Sequence, residues 1–111
     1  MHSLETKVAS KLIKMIPGAE MVRFGKNGTD VNSAAIRLAR HYSRKDLIAV
    51  CGYHGWQDWY ISSNLSNKNN LTDLLLPGLD PKGIPKKLQN TAIPFKWNDY
   101  KTFDEALIIS D

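Results

Sequence analysis

Residues 24–40 read FGKNGTDVNSAAIRLAR, a turn with two glycines that leads directly into an amphipathic helix. From Val31 onward the apolar residues recur at the i, i+3, i+4, i+7 spacing of a helix that packs one face on a flat surface. This apolar stripe consists of Val31, Ala34, Ala35, Leu38, Ala39 and Tyr42. Thr29 is a residue type that favours the N-cap position. The pattern therefore predicts a helix that is capped at Thr29 and covers a sheet.

The beginning of this helix is a candidate anion site. The first-turn amides of a helix have no intrahelical acceptor, and the helix dipole places partial positive charge there. A phosphate group fits such an end. The spacing differs from G-x-G-x-x-G and from G-x-x-x-x-G-K-[ST], because Lys26 precedes the second glycine. Taken alone, Gly28 and Thr29 are compatible with ordinary capping as well as with phosphate binding.

The flanking segments predict strands on both sides of the helix. Met21–Phe24 has the composition of a strand, and Leu47–Cys51 is a continuous apolar run typical of a strand buried on both faces. Strand, helix and strand in this order form a βαβ unit with parallel strands. The fold class is therefore α/β with a mostly parallel sheet. Tyr53 and His54 follow the second strand, so we expect them at the same carboxyl edge as the glycine turn.

Several blocks of the chain resemble a known family. They are PGAEMVRF (17–24), NGTD (27–30), AIRLAR (35–40) and GYHGWQDW (52–59). In this order they resemble class III pyridoxal-phosphate (PLP) aminotransferases, and in particular the glutamate-1-semialdehyde aminomutase-like branch. The resemblance extends from about residue 4 to about residue 107. It implies that residues 1–111 are part of the PLP-binding large domain of a fold-type I enzyme.

The resemblance also implies a cofactor site. The family holds the PLP phosphate with a Ser-Gly-Thr turn, which corresponds here to Asn27, Gly28 and Thr29. Asn27 replaces the usual serine, so the backbone contacts are retained while a serine hydroxyl is lost. Tyr53 corresponds to the tyrosine that stacks on the pyridine ring, and His54 lines the same pocket. A tyrosine face suits a flat heteroaromatic ring.

The family's Schiff-base lysine and its pyridine-binding aspartate come after the Tyr-His-Gly block, and no lysine of this chain lies in a matching context. The resemblance therefore implies a fragment without a catalytic residue of its own. The intact relative would transfer an amino group between an amine or amino acid and a carbonyl compound, and would form a homodimer. Two alternatives stay open at this point: a non-catalytic α/β module that binds a phosphorylated small molecule, and an inactive truncated product.

Composition limits the partners and the compartment. The 111 residues, 42% of them hydrophobic, are enough for one domain with a modest core. The net charge of +4 is not gathered into long basic tracts, so we expect no nucleic-acid partner. No apolar run is long enough for a membrane span, and lysines interrupt the N-terminal helix that we expect from Ser3 to Pro17. We expect a cytoplasmic protein.

The remaining features give weaker expectations. The single cysteine, Cys51, lies in the apolar strand and is expected to be a buried thiol with no metal partner. Trp56 and Trp59 either shape a substrate mouth or pack in the core. Ser62–Asn70 has the composition of a long loop, and Thr102–Glu105 matches a capping box that opens a final helix.

Overall fold

The computed structural model describes residues 2–72, 74 and 78–110. The helices are α1 (Ser3–Met15), α2 (Gly28–Ser43), α3 (Asp58–Ile61) and α4 (Tyr100–Ser110), and the strands are β1 (Ile48–Cys51) and β2 (Ala92–Phe95). Short 3₁₀ turns cover Ser62–Leu65 and Lys86–Leu88. β1 and β2 pair in parallel, with Ile48 opposite Ala92 and Cys51 opposite Phe95. The α/β class and the parallel pairing are confirmed, whereas the fold-type I assignment stays a prediction.

The expected βαβ unit is wrong in its first strand. Met21–Phe24 belongs to an irregular segment, and β1 pairs with β2, which comes later in the chain. A strand is stable only when a neighbouring strand satisfies its backbone groups, and the described part of the chain provides no such neighbour for Met21–Phe24. Burial on both faces of β1 is wrong too, because Val50 is buried while Ala49 is exposed.

The first helix has the expected extent. His2 rather than Ser3 caps α1: its Nδ1 accepts from the amide of Leu4, and the Glu5 carboxylate accepts from the amide of His2. The helix ends at Met15, just before the expected Pro-Gly stop. Among the described helices, none combines the length and the apolar character that crossing a membrane requires.

The second helix begins earlier than expected. Asn27, not Thr29, is the N-cap, because its Oδ1 accepts from the Asp30 amide at 3.0 Å. Asparagine and threonine are both favoured N-cap residues, and each bonds an amide two or three residues later. Because Asn27 comes first and reaches the Asp30 amide, the helix begins at Gly28. Thr29 therefore lies inside the first turn of α2 rather than at its cap.

The apolar stripe of α2 is exposed, contrary to expectation. Val31, Leu38 and Tyr42 are 49%, 67% and 92% accessible. The half-buried residues lie on another face of the helix: Asn32, Ser33, Ile36 and Arg40. The polar contacts of this face go to residues beside the strands: Asn32 meets His54, Ser33 accepts from Trp59, and Arg40 donates to the carbonyls of Asp46 and Thr91. The heptad-like pattern established an amphipathic helix but did not identify the face that is covered.

The last helix also begins before its expected cap. Asp99 Oδ1 accepts from the amide of Thr102 at 3.2 Å, and the Thr102 hydroxyl donates to the Asp99 carbonyl at 3.0 Å. α4 therefore begins at Tyr100 instead of at Thr102. The helix packs on both strands, and Phe103 meets Phe95 at 5.1 Å between ring centroids.

The core lies between the sheet and the segment that connects its two strands. Its buried apolar residues are Val50, Tyr60, Ile61, Leu71, Leu74 and Leu79. The expectation of a loop over Ser62–Asn70 is wrong at its beginning, because the 3₁₀ turn buries Ser62, Ser63 and Asn64 beside this core. The hydroxyl of Ser63 donates to the carbonyl of Ala92 at 2.9 Å, which joins the turn to β2.

Candidate functional site

The beginning of α2 exposes backbone donors. The Asn27 side chain occupies the Asp30 amide, and the Asn27 carbonyl accepts from the Val31 amide at 3.3 Å. Within the described part of the chain, the amides of Gly28 and Thr29 have no hydrogen-bond acceptor. A Cβ atom built on Gly28 would meet nothing within 4 Å, so there is open space beside these amides. The helix start can therefore accept an anion.

One acidic side chain lies close to these donors. The carboxylate of Asp30 accepts from the backbone amide of Lys26 at 3.3 Å. A carboxylate in the first turn stabilises the helix through its dipole. This contact holds the Asp30 carboxylate near the Lys26 side of the turn.

The end of β1 leads into a sharp turn, Tyr53–Gly55. Gly52 and Gly55 flank its centre with φ angles of 82° and 96°, values that side-chain-bearing residues rarely adopt. The half-buried ring of Tyr53 meets the ring of Tyr60 edge to face, with centroids 6.0 Å apart. The Tyr60 hydroxyl donates to the carbonyl of Gly52 at 3.0 Å, which ties the turn to α3.

The Tyr53–Gly55 turn packs directly against the beginning of α2. A Cβ on Gly55 would lie 3.2 Å from the hydroxyl oxygen of Thr29 and 2.9 Å from Oε1 of Gln57. The side-chain amide of Gln57 donates to the carbonyl of Thr29 at 3.3 Å, while its buried Oε1 has no partner among the described residues. Two blocks that are well separated in the sequence therefore form one surface.

His54 is held at both ring nitrogens. Its Nε2 lies 2.7 Å from the carbonyl of Cys51, and its Nδ1 lies 3.2 Å from the side-chain amide nitrogen of Asn32. The ring also packs on Trp59 and Tyr60, at 5.7 and 5.6 Å between centroids. His54 thus connects the end of β1 to the second turn of α2.

A cleft of about 290 Å³ lies between α2 and β1. Its lining includes Asn32, Ile36, Cys51, His54, Trp59 and Phe95. Cys51 is free and only half-buried, so the expectation of a buried thiol is wrong. Trp59 packs against the core, and its indole nitrogen donates to the Ser33 hydroxyl at 3.3 Å, whereas Trp56 is 75% exposed.

Burial sets the acidity of the tyrosine beneath the site. Tyr60 is fully buried, and this burial raises the pKa of its phenol above the ordinary value. The neighbouring Tyr53 phenol raises the pKa further, and a hydrogen bond with the backbone of His54 opposes the shift. Tyr60 therefore stays protonated in the folded chain and remains a donor to Gly52.

The chain is homologous, over nearly its whole length, to one region of the class III PLP enzymes. It is 34% identical over 106 residues to a 3-aminobutyryl-CoA aminotransferase of Cloacimonas acidaminovorans, an alignment with 96% of this chain and 22% of that protein. It is 37% identical over 105 residues to a glutamate-1-semialdehyde 2,1-aminomutase of Sulfurihydrogenibium azorense, with 93% and 23% covered.

A glutamate-1-semialdehyde 2,1-aminomutase of Thermosipho melanesiensis is 35% identical over 107 residues, with 94% of this chain and 24% of that protein covered. No family model matches the chain. The resemblance to class III PLP enzymes is thus confirmed. The chain spans about a quarter or less of the length of these relatives, 22–24%.

The described residues fit the phosphate ester of PLP. The open amides of Gly28 and Thr29 and the open space beside Gly28 provide the donors and the room that an anion needs. Tyr53 and His54 lie in the turn that packs on this helix start. The roles of Asn27, Gly28, Thr29, Tyr53 and His54 toward the cofactor stay predictions.

The sequence did not predict that three further residues contact the site. They are Asn32, Gln57 and Gly55, which join α2 to the turn. Asn32 offered one signal, since it is an amide side chain one helical turn after Thr29. Gln57 and Gly55 belong to the recognised Tyr-His-Gly block, but their contact with α2 depends on how the turn packs.

Proposed function

We propose that this chain forms the phosphate-binding and ring-contacting part of a PLP-dependent aminotransferase or aminomutase, within a fold-type I large domain. The carrying observation is the packing of the Tyr53–Gly55 turn on the beginning of α2, where Gln57 donates to Thr29. Homology to class III PLP enzymes over 93–96% of the chain supports this choice of cofactor.

The phosphate is the anchor in this proposal. The amides of Gly28 and Thr29 donate to the phosphate oxygens, and the Thr29 hydroxyl adds a third donor from the same turn. Asn27 keeps its side chain on the Asp30 amide and so holds the turn in shape. Hydrogen bonds to a charged acceptor are worth about 1.5–3 kcal/mol each, so a few of them can retain the cofactor.

The ring is the second contact. PLP, when bound, serves as the electron sink for amino-group transfer. Tyr53 provides an aromatic face for the pyridine ring, and Tyr60 supports Tyr53 from behind through an edge-to-face contact. His54 borders the same space and is fixed by Asn32 and by the Cys51 carbonyl.

The remaining partners follow from the same proposal. They are a small-molecule amino donor, a carbonyl acceptor and a second copy of the protein. The exposed apolar side chains of α1 and α2, such as Leu4 and Leu38, support association with further polypeptide.

Binding of pyridoxamine 5′-phosphate tests the proposal. This cofactor form lacks the aldehyde, so it does not modify surface lysines, and its fluorescence reports binding. We expect saturable binding by the 111-residue chain that inorganic phosphate competes away. Gly28→Val should weaken binding by about tenfold or more, because its side chain fills the open space where the phosphate approaches.

Matched variants identify each contact. Ala39→Val adds similar bulk to an exposed position of α2 and should leave the affinity unchanged. Thr29→Ala should weaken binding less than Gly28→Val, because it removes one hydroxyl but neither the amide nor the cap. Tyr53→Ala should weaken pyridoxamine phosphate binding and leave inorganic phosphate binding intact. If Gly28→Val binds as tightly as the parent chain, the phosphate does not sit at this helix start.

A further inference from the structure

We propose that Asn32 is a positioning residue for the cofactor site, because it fastens the Tyr53–Gly55 turn to α2 by donating a hydrogen bond to Nδ1 of His54. This inference rests on the proposed PLP function for its consequence. Its geometric basis is independent, and it consists of the two contacts at the ring nitrogens of His54.

The partners of His54 determine its tautomer. A carbonyl oxygen only accepts, so Nε2 at 2.7 Å from the Cys51 carbonyl must carry a proton. In the neutral ring Nδ1 is then an acceptor, and it faces the side-chain amide nitrogen of Asn32 at 3.2 Å. Each of the two contacts then pairs one donor with one acceptor: Nε2–H donates to the Cys51 carbonyl, and Nδ1 accepts from the Asn32 amide.

The ring of His54 lies among aromatic side chains and beside a cleft with an uncharged lining. The rings of Trp59 and Tyr60 pack on it. Around the cleft that His54 borders, the described lining residues include the Cys51 thiol but no carboxylate and no ammonium group. Among these described neighbours, Asn32 is therefore the side chain that donates to Nδ1.

Asn32 acts on the site through the turn. It lies three residues after Thr29, so both residues lie on neighbouring turns of one side of α2. Thr29 contacts Gly55 and Gln57, while Asn32 holds His54, the residue between Tyr53 and Gly55. Two separate attachments therefore fix the orientation of the Tyr53 ring relative to the phosphate donors.

Nitrogen-15 NMR of histidine-labelled chain tests the contact without any ligand. The exposed His41 serves as the internal reference. We expect the Nε2–H tautomer for His54, with a hydrogen-bonded Nδ1. Asn32→Ala removes the donor, so the Nδ1 signal of His54 should lose its hydrogen-bond shift and the proportion of the Nε2–H tautomer should fall, whereas Asn69→Ala at an exposed position should change nothing. The Nδ1–H tautomer in the parent chain, or no response to Asn32→Ala, would overturn the proposal.

Binding data test the consequence. Asn32→Ala should weaken pyridoxamine phosphate binding by about five- to tenfold, the effect of one hydrogen bond, and leave inorganic phosphate binding unchanged. Asn32→Ser, which keeps a donor, should recover part of the loss. If the parent chain binds the probe and Asn32→Ala binds it equally well, the positioning role alone is wrong. If the parent chain binds no probe at all, the cofactor site itself is refuted and the positioning role with it.

Discussion

In two regions of this chain, burial runs against residue polarity, and it does so in opposite directions. Along α2, apolar side chains are exposed, with Leu38 at 67% and Tyr42 at 92%. In the 3₁₀ turn, Ser62, Ser63 and Asn64 are almost completely buried, at 0%, 1% and 3%. A ranking of residues by hydrophobicity would predict the reverse in both places.

The difference shows that completeness of packing, rather than polarity, separates the regions. Asn64 donates to the carbonyl of Leu79 at 2.7 Å and accepts from the amide of Leu71 at 3.0 Å, so its polar atoms are satisfied inside the core. The stripe of α2, in contrast, has no comparable cover within the described part of the chain. We propose that this exposed apolar stripe is a surface for further polypeptide.

The largest effect is expected for Asn64→Ala. It removes both buried hydrogen bonds and leaves two backbone groups unsatisfied, so the free energy of unfolding should fall by about 2–4 kcal/mol. Asn69→Ala, at an exposed position, should cost less than about 0.5 kcal/mol. Urea unfolding followed by tryptophan fluorescence measures both. Equal losses of unfolding free energy in the two variants would show that the buried hydrogen bonds of Asn64 do not stabilise the fold.

A glycine pair measures the contact between α2 and the Tyr53–Gly55 turn. Gly18 and Gly55 both have positive φ angles, 80° and 96°, but a Cβ on Gly18 meets nothing within 4 Å. Gly18→Ala should therefore cost only the backbone strain, about 1–2 kcal/mol. Gly55→Ala should cost about 1 kcal/mol more through its clash with Gln57 and Thr29, and should also weaken pyridoxamine phosphate binding. If the two variants are equally stable, the Tyr53–Gly55 turn is not closely packed against α2.

Two neighbouring residues of α2 test which face is covered. Ile36 is half-buried against the cleft, so Ile36→Ala should lower the free energy of unfolding by about 1–2 kcal/mol. Leu38→Ala should change it by less than about 0.5 kcal/mol, since the side chain is exposed. Leu38→Glu should also reduce self-association, measured by sedimentation velocity. A large loss of stability in Leu38→Ala would show that the stripe is covered within the chain.

The smallest effect concerns alkaline pH. Because burial raises the pKa of Tyr60 in the folded chain, its contribution to stability is complete below the ordinary value of 10.0 and is lost as the pH rises through the folded value. The unfolded chain releases this proton first, so the parent should lose stability above pH 10 faster than Tyr60→Phe does. Tyr100→Phe, at a 79% exposed position, should follow the parent. Parallel pH profiles for parent and Tyr60→Phe would contradict the raised pKa.

Local patterns in the sequence predicted the elements that depend on local physics. The extents of α1 and β1 follow from helical spacing and from a run of apolar residues. The capping asparagine was missed because Asn27 and Thr29 are both good caps, and only the course of the turn distinguishes them. β2 was missed because it is short and contains Pro94, a residue that weakens the signal for a strand.

Residue order alone established an amphipathic α2, a strand that leads into Tyr53 and His54, and the resemblance to class III PLP enzymes. Those features depend on hydrophobic periodicity, on capping chemistry and on four sequence motifs that occur in a fixed order. Tertiary structure decided that β1 pairs with β2, that the polar face of α2 bonds to residues flanking the strands, and that Asn32 reaches His54. These outcomes depend on contacts between segments far apart in the chain. In each case the neighbour that satisfies the hydrogen-bonding groups of the backbone and side chains determines the arrangement.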